Sequence, residues 1–413
     1  MIARQTIILL AFGALISGCG ATGRQEDTMT KQTAFTAQDD RPPGGIAVSR
    51  APQFVAFGFD DNGVAGTGDP DHPQGMQWAL DMFAGRRNPD GTDVRASFYL
   101  TASYATGDPS GYGDNPAGSP TLVKRLWHRA FVDGHETGNH TFSHPHGTDE
   151  KGVAMTVDEW IADIKKCNDI LSLPFDENES IEAPDPTKGA GIPPEAIVGF
   201  RTPFLEYTDN TFAAVQQMGF AYDCSIEDGI QPGRHGGMYY WPYQLDEGSF
   251  AHDLQMQWGL KGPLSPRPGL WELPVYAVTV PPDAECEKYG VAPGFRNRMK
   301  AAADYFDKED GKITGFDYNM WVLFHMTRAE FVAVLKYSLD LRLAGNRAPF
   351  LFGMHSDMYA DGYSEESEMR ASPEERRQAV EEFVDYALAV KAVRMVPAKD
   401  VLAWMKSPAP LPQ

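Results

Sequence analysis

A short apolar run, Pro52-Gln-Phe-Val-Ala-Phe-Gly-Phe59, leads directly into the polar residues Asp60-Asp61-Asn62. Its aromatic and β-branched residues predict a buried strand. Two acids at the end of such a strand are informative, because an ionised group taken out of water needs a partner. The pattern therefore predicts a strand that delivers functional carboxylates to one edge of a sheet.

Other polar motifs also close or follow apolar runs, namely His140-Thr-Phe-Ser-His144-Pro145, Arg201-Thr-Pro203-Phe204, Tyr222-Asp223 and Met354-His355. Strands are predicted at 96–100, 196–200, 220–223, 270–275, 349–354 and 393–396, and helices at 76–83, 121–133, 157–171, 210–218, 328–343, 373–390 and 398–405. This alternation indicates parallel βαβ units and an α/β fold that closes like a barrel. In such folds catalytic groups lie at the carboxyl ends of strands, where these motifs are.

The N-terminus is typical of an exported protein. Arg4 precedes a short apolar run at 6–16 and the small residues Ser17-Gly18-Cys19, which predicts a signal peptide over 1–18, too short to span a bilayer. The sequence ending at Cys19 resembles the lipobox of bacterial lipoproteins, in which the cysteine becomes a lipidated N-terminus. An ordinary signal peptide with a chance cysteine is the alternative. By the same resemblance, Gly20 favours the outer membrane of a Gram-negative bacterium.

Composition divides the remaining chain into a tether and one domain. Residues 19–50 carry few large apolar groups, which predicts a flexible tether after the lipidated Cys19. The catalytic domain is expected over 51–410, since no second linker and no repeat of fixed period follow. Cys167, Cys224 and Cys286 allow at most one disulfide, and three unpaired core cysteines are an equally good interpretation.

The formal net charge of −21 and the pI of about 4.8 exclude a nucleic-acid partner and favour a neutral substrate. Contact with a membrane is expected only through the N-terminal lipid anchor.

A divalent metal site is predicted from the histidine pair and the acids. His140 and His144 are four residues apart, so on a helical turn their rings would share one face and reach a single ion. At a strand end, Asp60 and Asp61 can point into one pocket in different roles. Two histidines and one carboxylate leave an open position, as in catalytic zinc sites, where the metal activates water. Zn²⁺ is the first expectation, and Co²⁺, Ni²⁺ and Mn²⁺ also suit this ligand set.

Taken together, the motifs resemble those of the polysaccharide deacetylases of the NodB-homology type, carbohydrate esterase family 4. The resemblance runs from about 53 to 405 and is closest to the chitin-deacetylase-like branch. It rests on Phe200-Arg-Thr-Pro-Phe-Leu205, Tyr222-Asp-Cys-Ser-Ile226, Trp241-Pro-Tyr243, Leu270-Trp-Glu-Leu-Pro274 and Asn346-Arg-Ala-Pro349. It implies a distorted (β/α) barrel with extended loops.

The resemblance also implies roles for single residues. Asp60 would be the general base, oriented and kept ionised by Arg201. His355 would be the general acid that protonates the leaving amine, with Asp223 orienting it. The implied metal ligands are Asp61, His140 and His144, and the implied oxyanion donor is the backbone N–H of Phe204.

Some residues depart from the family pattern or are assigned with less support. Asn62 stands where many members have Gly, Phe204 where many have Tyr, and Cys224, expected to be a buried inert thiol, where the related branch usually has Ser. Trp241 and Tyr243 are predicted to offer sugar-stacking faces, although such aromatic residues are more often core. His146 has no motif context and is interpreted as a structural or surface residue.

The implied function is metal-dependent removal of N-acetyl groups from N-acetylglucosamine polymers or oligomers of the chitin type, with release of acetate. The alternatives are a deacetylase of peptidoglycan or of O-acetyl xylan, an enzyme of small amides, and a non-catalytic carbohydrate-binding lipoprotein. All the required chemical groups are present in the sequence, which argues against the non-catalytic alternative.

Overall fold

The computed structural model describes residues 39–64, 66, 72–107, 119–231, 235–363 and 369–412. The predicted signal peptide (1–18), the predicted lipidation site Cys19 and most of the predicted tether lie outside the described residues. Within the described ranges, no helix combines the length and the apolar character needed to cross a membrane.

The strands are, in chain order, β1 (Gln53–Asp60), β2 (Ser97–Leu100), β3 (Glu136–Asn139), β4 (Gly199–Phe200), β5 (Tyr222–Asp223), β6 (Glu227–Asp228), β7 (Tyr243–Leu245), β8 (Arg267–Glu272), β9 (Val275–Tyr276), β10 (Val278–Thr279), β11 (Lys312–Ile313), β12 (Phe350–His355) and β13 (Val393–Met395). The α-helices are α1 (Gly75–Phe83), α2 (Pro120–Val132), α3 (Val157–Ser172), α4 (Asp209–Gln217), α5 (Phe250–Gln257), α6 (Asp283–Cys286), α7 (Phe295–Ala302), α8 (Arg328–Ala344), α9 (Pro373–Leu388) and α10 (Ala398–Lys406).

The main sheet has the spatial order β12-β1-β2-β3-β4-β5-β8-β7, and β13 pairs with the start of β1. Its pairings are parallel except that between β7 and β8. In the described part of the chain β12 and β7 form the two edges and do not pair with each other. The predicted distorted (β/α) barrel is therefore confirmed, as a curled sheet that closes incompletely.

Strand β1 is buried along its whole length, as expected for a parallel strand covered on both faces. It pairs with β12 from Val55 opposite Phe350 to Asp60 opposite His355. Gly58 is required within it, because a Cβ there would lie 2.9 Å from both the Arg201 guanidinium and the Tyr99 ring. The register brings Asp60 and His355 side by side at the carboxyl end of the sheet.

The sequence prediction missed β3, whose residues Glu-Thr-Gly-Asn are polar but fully buried. Burial is possible because Glu136 is well satisfied: its carboxylate accepts from Ser97 Oγ at 2.8 Å, from Tyr222 OH at 2.7 Å and from the Lys399 backbone N–H at 2.9 Å. A hydropathy pattern cannot show such partners, since they lie far apart in sequence.

The helices follow their sequence signals closely. Helices α3, α8 and α9 each begin with a capping box, in which Thr156, Thr327 and Ser372 bond the backbone N–H three residues on. Helices α8 and α9 pack on each other, and α3 packs on α4 and β3. The three described cysteines are all buried and unpaired, so the core-cysteine interpretation is confirmed and no disulfide joins them.

The end of the predicted tether is held against the domain. Asp39 O accepts from the Trp241 backbone N–H at 2.9 Å, and Asp40 O accepts from Asn346 Nδ2 at 2.5 Å. Arg50 and Leu411 bond each other in both directions, at 2.7 Å each. The ordered body therefore begins before residue 51, beside the amino ends of β1 and β12.

Candidate active site

A buried cluster of possible metal ligands lies where β1 and β3 end. Asp61 Oδ1 is 3.3 Å from His144 Nε2 and 3.9 Å from His140 Nε2, and one ligand atom from each residue lies within 4.8 Å of the others. All three side chains are buried. The structure thus brings together the three predicted metal ligands.

The chemistry of this donor set fits a divalent cation. The Nδ1 of His140 donates to the Arg201 carbonyl at 2.8 Å, which leaves Nε2 facing the acids. Asp61 is oriented by the Thr101 hydroxyl at 3.0 Å. Burial lowers the pKa of His140 to about 4 and that of His144 well below its usual value, so both rings are neutral with a lone pair available.

The two histidines do not lie on a helical turn, and that part of the prediction is wrong. The segment after β3 is an irregular loop with positive φ at Thr141 (70°) and His144 (51°). Asp163 of α3 holds it, since its Oδ1 accepts from the backbone N–H groups of Phe142 at 2.6 Å and Ser143 at 3.0 Å. This loop still brings the two imidazole rings together, with centroids 4.9 Å apart.

Backbone strain is concentrated in the loops that carry the site. Six of the eight non-glycine residues with positive φ in the described ranges lie there: Asp61, Asn62, Thr141, His144, Phe204 and Leu205. Such conformations persist only where the surroundings hold them. Asn62 shows how: its amide donates to Phe59 O at 2.8 Å and Tyr99 O at 3.0 Å, and accepts from Ser356 Oγ at 2.9 Å. Its φ of 59° also explains the departure from Gly, since Asn tolerates this region.

Asp60 lies beside this cluster and is paired with Arg201. The Arg201 Nη1 donates to Asp60 Oδ1 at 2.7 Å, and Asp60 Oδ2 is 3.9 Å from His140 Nε2. Arg201 is itself fixed by Cys224 O at 3.0 Å and lies over the Tyr99 ring. The expected ion pair is present, but burial raises the pKa of Asp60 above its ordinary value although Arg201 and His355 oppose that shift.

The partner of His355 is Asp317, not Asp223. Asp317 Oδ1 accepts from His355 Nδ1 at 2.8 Å, and its Oδ2 accepts from the His355 backbone N–H at 2.9 Å. Burial alone would lower the pKa of His355. The charge and hydrogen bond of Asp317, helped by Asp60 and Asp61, instead raise it to about 9. The histidine is therefore held protonated, with its Nε2 side available as a proton donor.

Sequence reasoning missed Asp317 because it follows no long strand. It is placed by a single bridge between Phe316 and Gly353 of β12. The only sequence signal is an acid directly after an aromatic residue, the order also found in Phe59-Asp60.

Asp223 has a different position from the one predicted. Its carboxylate accepts from the Ser225 backbone N–H at 2.8 Å and from Ser225 Oγ at 3.0 Å, and Ser225 Oγ accepts from the Thr202 backbone N–H at 2.8 Å. It lies opposite Glu272 in the pairing of β5 with β8, and burial raises its pKa to about 7. Through Ser225, Asp223 thus supports the loop after Arg201, and the carboxylate that bonds His355 is that of Asp317.

The predicted substrate residues divide into one exposed and two buried. Phe204 has 41% of its surface exposed, and its ring lies edge-on to His144 with centroids 4.4 Å apart. Trp241 is buried and stacks on Trp404, and the buried Tyr243 shares a hydrogen bond with Ser249. Both belong to the core, so the prediction that they stack on a sugar is wrong. Cys224 is a buried thiol, as expected.

The site therefore offers a buried Asp–His–His cluster, a carboxylate held by an arginine and a protonated histidine at one end of the sheet. These are a set of metal ligands, a base and an acid, which hydrolysis of an amide or ester requires. The fold and the site together define an α/β-barrel protein with a candidate divalent-metal centre.

Comparison with known proteins agrees with the motifs. Chitin deacetylase 8 of Bombyx mori is 24% identical over 372 residues, which are 89% of this chain and 74% of that protein. The chain is thus similar in sequence to a chitin deacetylase, which agrees with the predicted resemblance to the polysaccharide deacetylases, although 24% identity supports the chitin-deacetylase-like branch only weakly. No protein-family model matches the sequence.

Two solved structures resemble this chain only in part. One is a Mycobacterium smegmatis protein described as a polysaccharide deacetylase, with a TM-score of 0.49 and 14% identity over 89% of this chain and 94% of that one. Another is the Xyl-CE4 domain of a multidomain xylanase from the hindgut metagenome of Trinervitermes trinervoides, with a TM-score of 0.33 and 9% identity over 85% and 90%.

Proposed function

We propose that this protein is a metal-dependent deacetylase that hydrolyses the N-acetyl groups of N-acetylglucosamine polymers or oligomers and releases acetate. The observation that carries the proposal is the register of β1 and β12, which sets Asp60 beside His355 next to the Asp61–His140–His144 cluster. A carboxylate base and a protonated histidine, adjacent to metal ligands, are what amide hydrolysis needs.

Each residue has a defined part in this mechanism. A divalent cation, when bound by Asp61, His140 and His144, supplies Lewis-acid activation of water and of the acetyl carbonyl. Asp60 accepts the proton of the attacking water, and Arg201 holds its carboxylate in line. The backbone N–H of Phe204 donates to the oxygen of the tetrahedral intermediate. His355 donates a proton to the departing amine as the carbon–nitrogen bond breaks, which leaves acetate and a free amino sugar.

The chitin-type substrate rests on the relationship to an insect chitin deacetylase and on the sequence motifs. The strongly negative net charge of −21 also favours a neutral glycan over an anionic polymer. Zn²⁺ is the proposed metal, and Co²⁺, Ni²⁺ and Mn²⁺ suit the same ligands.

Export and lipid anchoring at Cys19 complete the proposal. They rest on the N-terminal sequence alone, and they place the enzyme in the cell envelope, at the outer membrane of a Gram-negative bacterium. Metabolic labelling with an alkyne fatty acid should mark the wild-type protein and not the Cys19→Ala variant.

The activity is tested by measuring acetate release from chitotetraose with metal-loaded protein. Asp60→Asn should lower kcat by about 10²–10⁴-fold, the usual contribution of a general base. Removing the metal with a chelator should abolish activity, and Zn²⁺ should restore it. Asp169→Asn is the matched control, because Asp169 is an exposed acid on α3, and it should leave kcat unchanged.

Several outcomes would overturn the proposal. Full activity of the Asp60→Asn variant or of the metal-free protein would exclude this mechanism. Acetate release from peptidoglycan fragments or O-acetyl xylan, but not from chitooligosaccharides, would assign another substrate. Hydrolysis of small cyclic amides alone would assign another reaction, and glycan binding without any acetate release would favour a non-catalytic protein.

A further inference from the structure

We propose that His146, stacked on Phe204, forms a platform for the sugar ring next to the one being deacetylated, and that it gives the enzyme a preference for longer glycans. This inference rests on the proposed function and goes beyond it, since it names a residue that determines specificity. No motif in the sequence points to His146, and only the structure connects it with the site.

Three rings lead outward from the metal-ligand cluster. His144 is 7% exposed, and Phe204, edge-on to it, is 41% exposed. The His146 ring lies parallel to that of Phe204, with centroids 4.2 Å apart and an angle of 4°, and 54% of its side chain is exposed. When the acetyl group of one sugar reaches the metal ligands, the next sugar of the glycan would therefore lie over the rings of Phe204 and His146.

The platform is held rigidly by contacts between two loops. Glu206 Oε2 accepts from His146 Nδ1 at 3.0 Å and from the Gly147 backbone N–H at 3.2 Å. Gly147 lies so close to the Glu206 backbone that a Cβ there would be 1.8 Å from the Glu206 carbonyl oxygen. The two loops thus touch directly, and the imidazole has little freedom to lose when a ligand binds.

The chemistry of His146 suits a carbohydrate. Nδ1 of His146 donates to the Glu206 carboxylate, which leaves Nε2 as the ring nitrogen that can make a polar contact with a sugar hydroxyl group. The ring pair also offers a flat π-surface to the C–H face of a sugar. One residue therefore supplies both a stacking face and a polar contact, the combination found in small-molecule sites.

The chain contains a matched histidine–phenylalanine pair that serves as a control. The rings of His128 and Phe175 are stacked with centroids 3.8 Å apart at 7°, and His128 Nδ1 donates to Ala190 O at 2.9 Å. This pair joins α2 to the segment after α3 and touches none of the site residues described above. It shows what such a stack contributes to structure alone.

The test compares kcat/KM for chitotetraose and for the monosaccharide N-acetylglucosamine, which has no neighbouring sugar. His146→Ala should lower kcat/KM for chitotetraose about tenfold, the loss expected for an aromatic contact and a hydrogen bond, and should lower that for N-acetylglucosamine by much less. His146→Phe keeps the stacking face and should recover part of the loss. His128→Ala should leave the ratio between the two substrates unchanged.

A binding measurement separates this inference from the proposed function. In the Asp60→Asn background, calorimetry should show chitotetraose bound about tenfold more weakly when His146 is also alanine. If His146→Ala weakens binding in this way but the wild-type protein deacetylates no glycan, the proposed function is overturned and the role of His146 in glycan binding holds. Equal losses on both substrates, an equal effect of His128→Ala, or no loss at all would overturn the platform. Absence of both glycan binding and deacetylation would overturn both.

Discussion

At the scale of single residues, the proton-donating side of the site depends on Asp317. Its two oxygens accept from the ring and from the backbone N–H of His355, and Tyr359 OH donates to it at 3.2 Å. One fully buried carboxylate therefore fixes both the orientation and the charge of the histidine.

Replacing this carboxylate should change the pH dependence of the reaction. His355 is active as an acid only while protonated, and Asp317 is the main reason that its pKa is raised to about 9. Asp317→Asn should therefore move the alkaline fall in kcat to lower pH and lower kcat at neutral pH at least about tenfold. The exposed Asp304→Asn is the control. A loss of kcat without a shift of the alkaline limb would mean that Asp317 acts only by keeping the local structure.

The sequence predicted those site residues that follow apolar runs. Asp60, Asp61 and His355 could be predicted in this way, because a polar residue directly after a buried strand stands out in the sequence. Asp317 and His146 were not, since the first is placed by a single bridge and the second by a ring stack between two loops. Asp223 was assigned the role of Asp317 because the family resemblance implied it, and only the distances in the structure distinguish the two acids.

At the scale of elements, the loop after β3 carries both histidines and depends on α3. Besides the two backbone contacts of Asp163, its Oδ2 accepts from Ser143 Oγ at 2.5 Å. A short loop with two left-handed residues has few other ways to keep its shape.

Asp163→Ala should weaken metal binding while leaving the ligands intact. The loop would lose three hydrogen bonds. We expect the metal affinity to fall by about 10–100-fold, the usual effect of removing a group that orients metal ligands. Competition with a chromogenic chelator measures it. Asp169→Ala, an exposed acid on the same helix, is the control. Unchanged affinity in a folded Asp163→Ala protein would show that the ligands hold the loop by themselves.

Regular elements with strong periodicity were predictable, and polar or very short ones were not. Helices α2, α3, α8 and α9 lie within a few residues of their predicted bounds because their apolar faces repeat at helical spacing. Strand β3 was not predicted, because its polar residues are stabilised in the core by partners on β2, β5 and α10. The fold class followed from the alternation of elements, whereas the exact register came only from the structure.

At the scale of the whole molecule, residues 39–50 close the amino end of the barrel. They bond Trp241, Asn346 and the C-terminal segment, and Arg347 Nη1 donates to Ser49 O at 3.1 Å. The two ends of the described chain thus lie together on one face.

Truncation tests the contribution of this segment. A protein starting at residue 39 should be more stable towards urea than one starting at residue 52 by about 2–4 kcal/mol, since several hydrogen bonds of about 1 kcal/mol each are lost. Both should keep the same kcat on chitotetraose, because the site lies at the other end of the strands. Equal free energies of unfolding would show that the segment adds nothing to stability.

The position of this segment also determines how the protein is presented on a surface. The chain enters at Asp39, beside the amino ends of β1 and β12, and the reacting groups lie at the carboxyl ends, about 25 Å away along eight residues of strand. If the protein is attached through its N-terminus, the end of the barrel that carries the active site points away from the support. The active site can then reach large insoluble material, and the same orientation suits enzyme immobilised on beads or on a sensor chip.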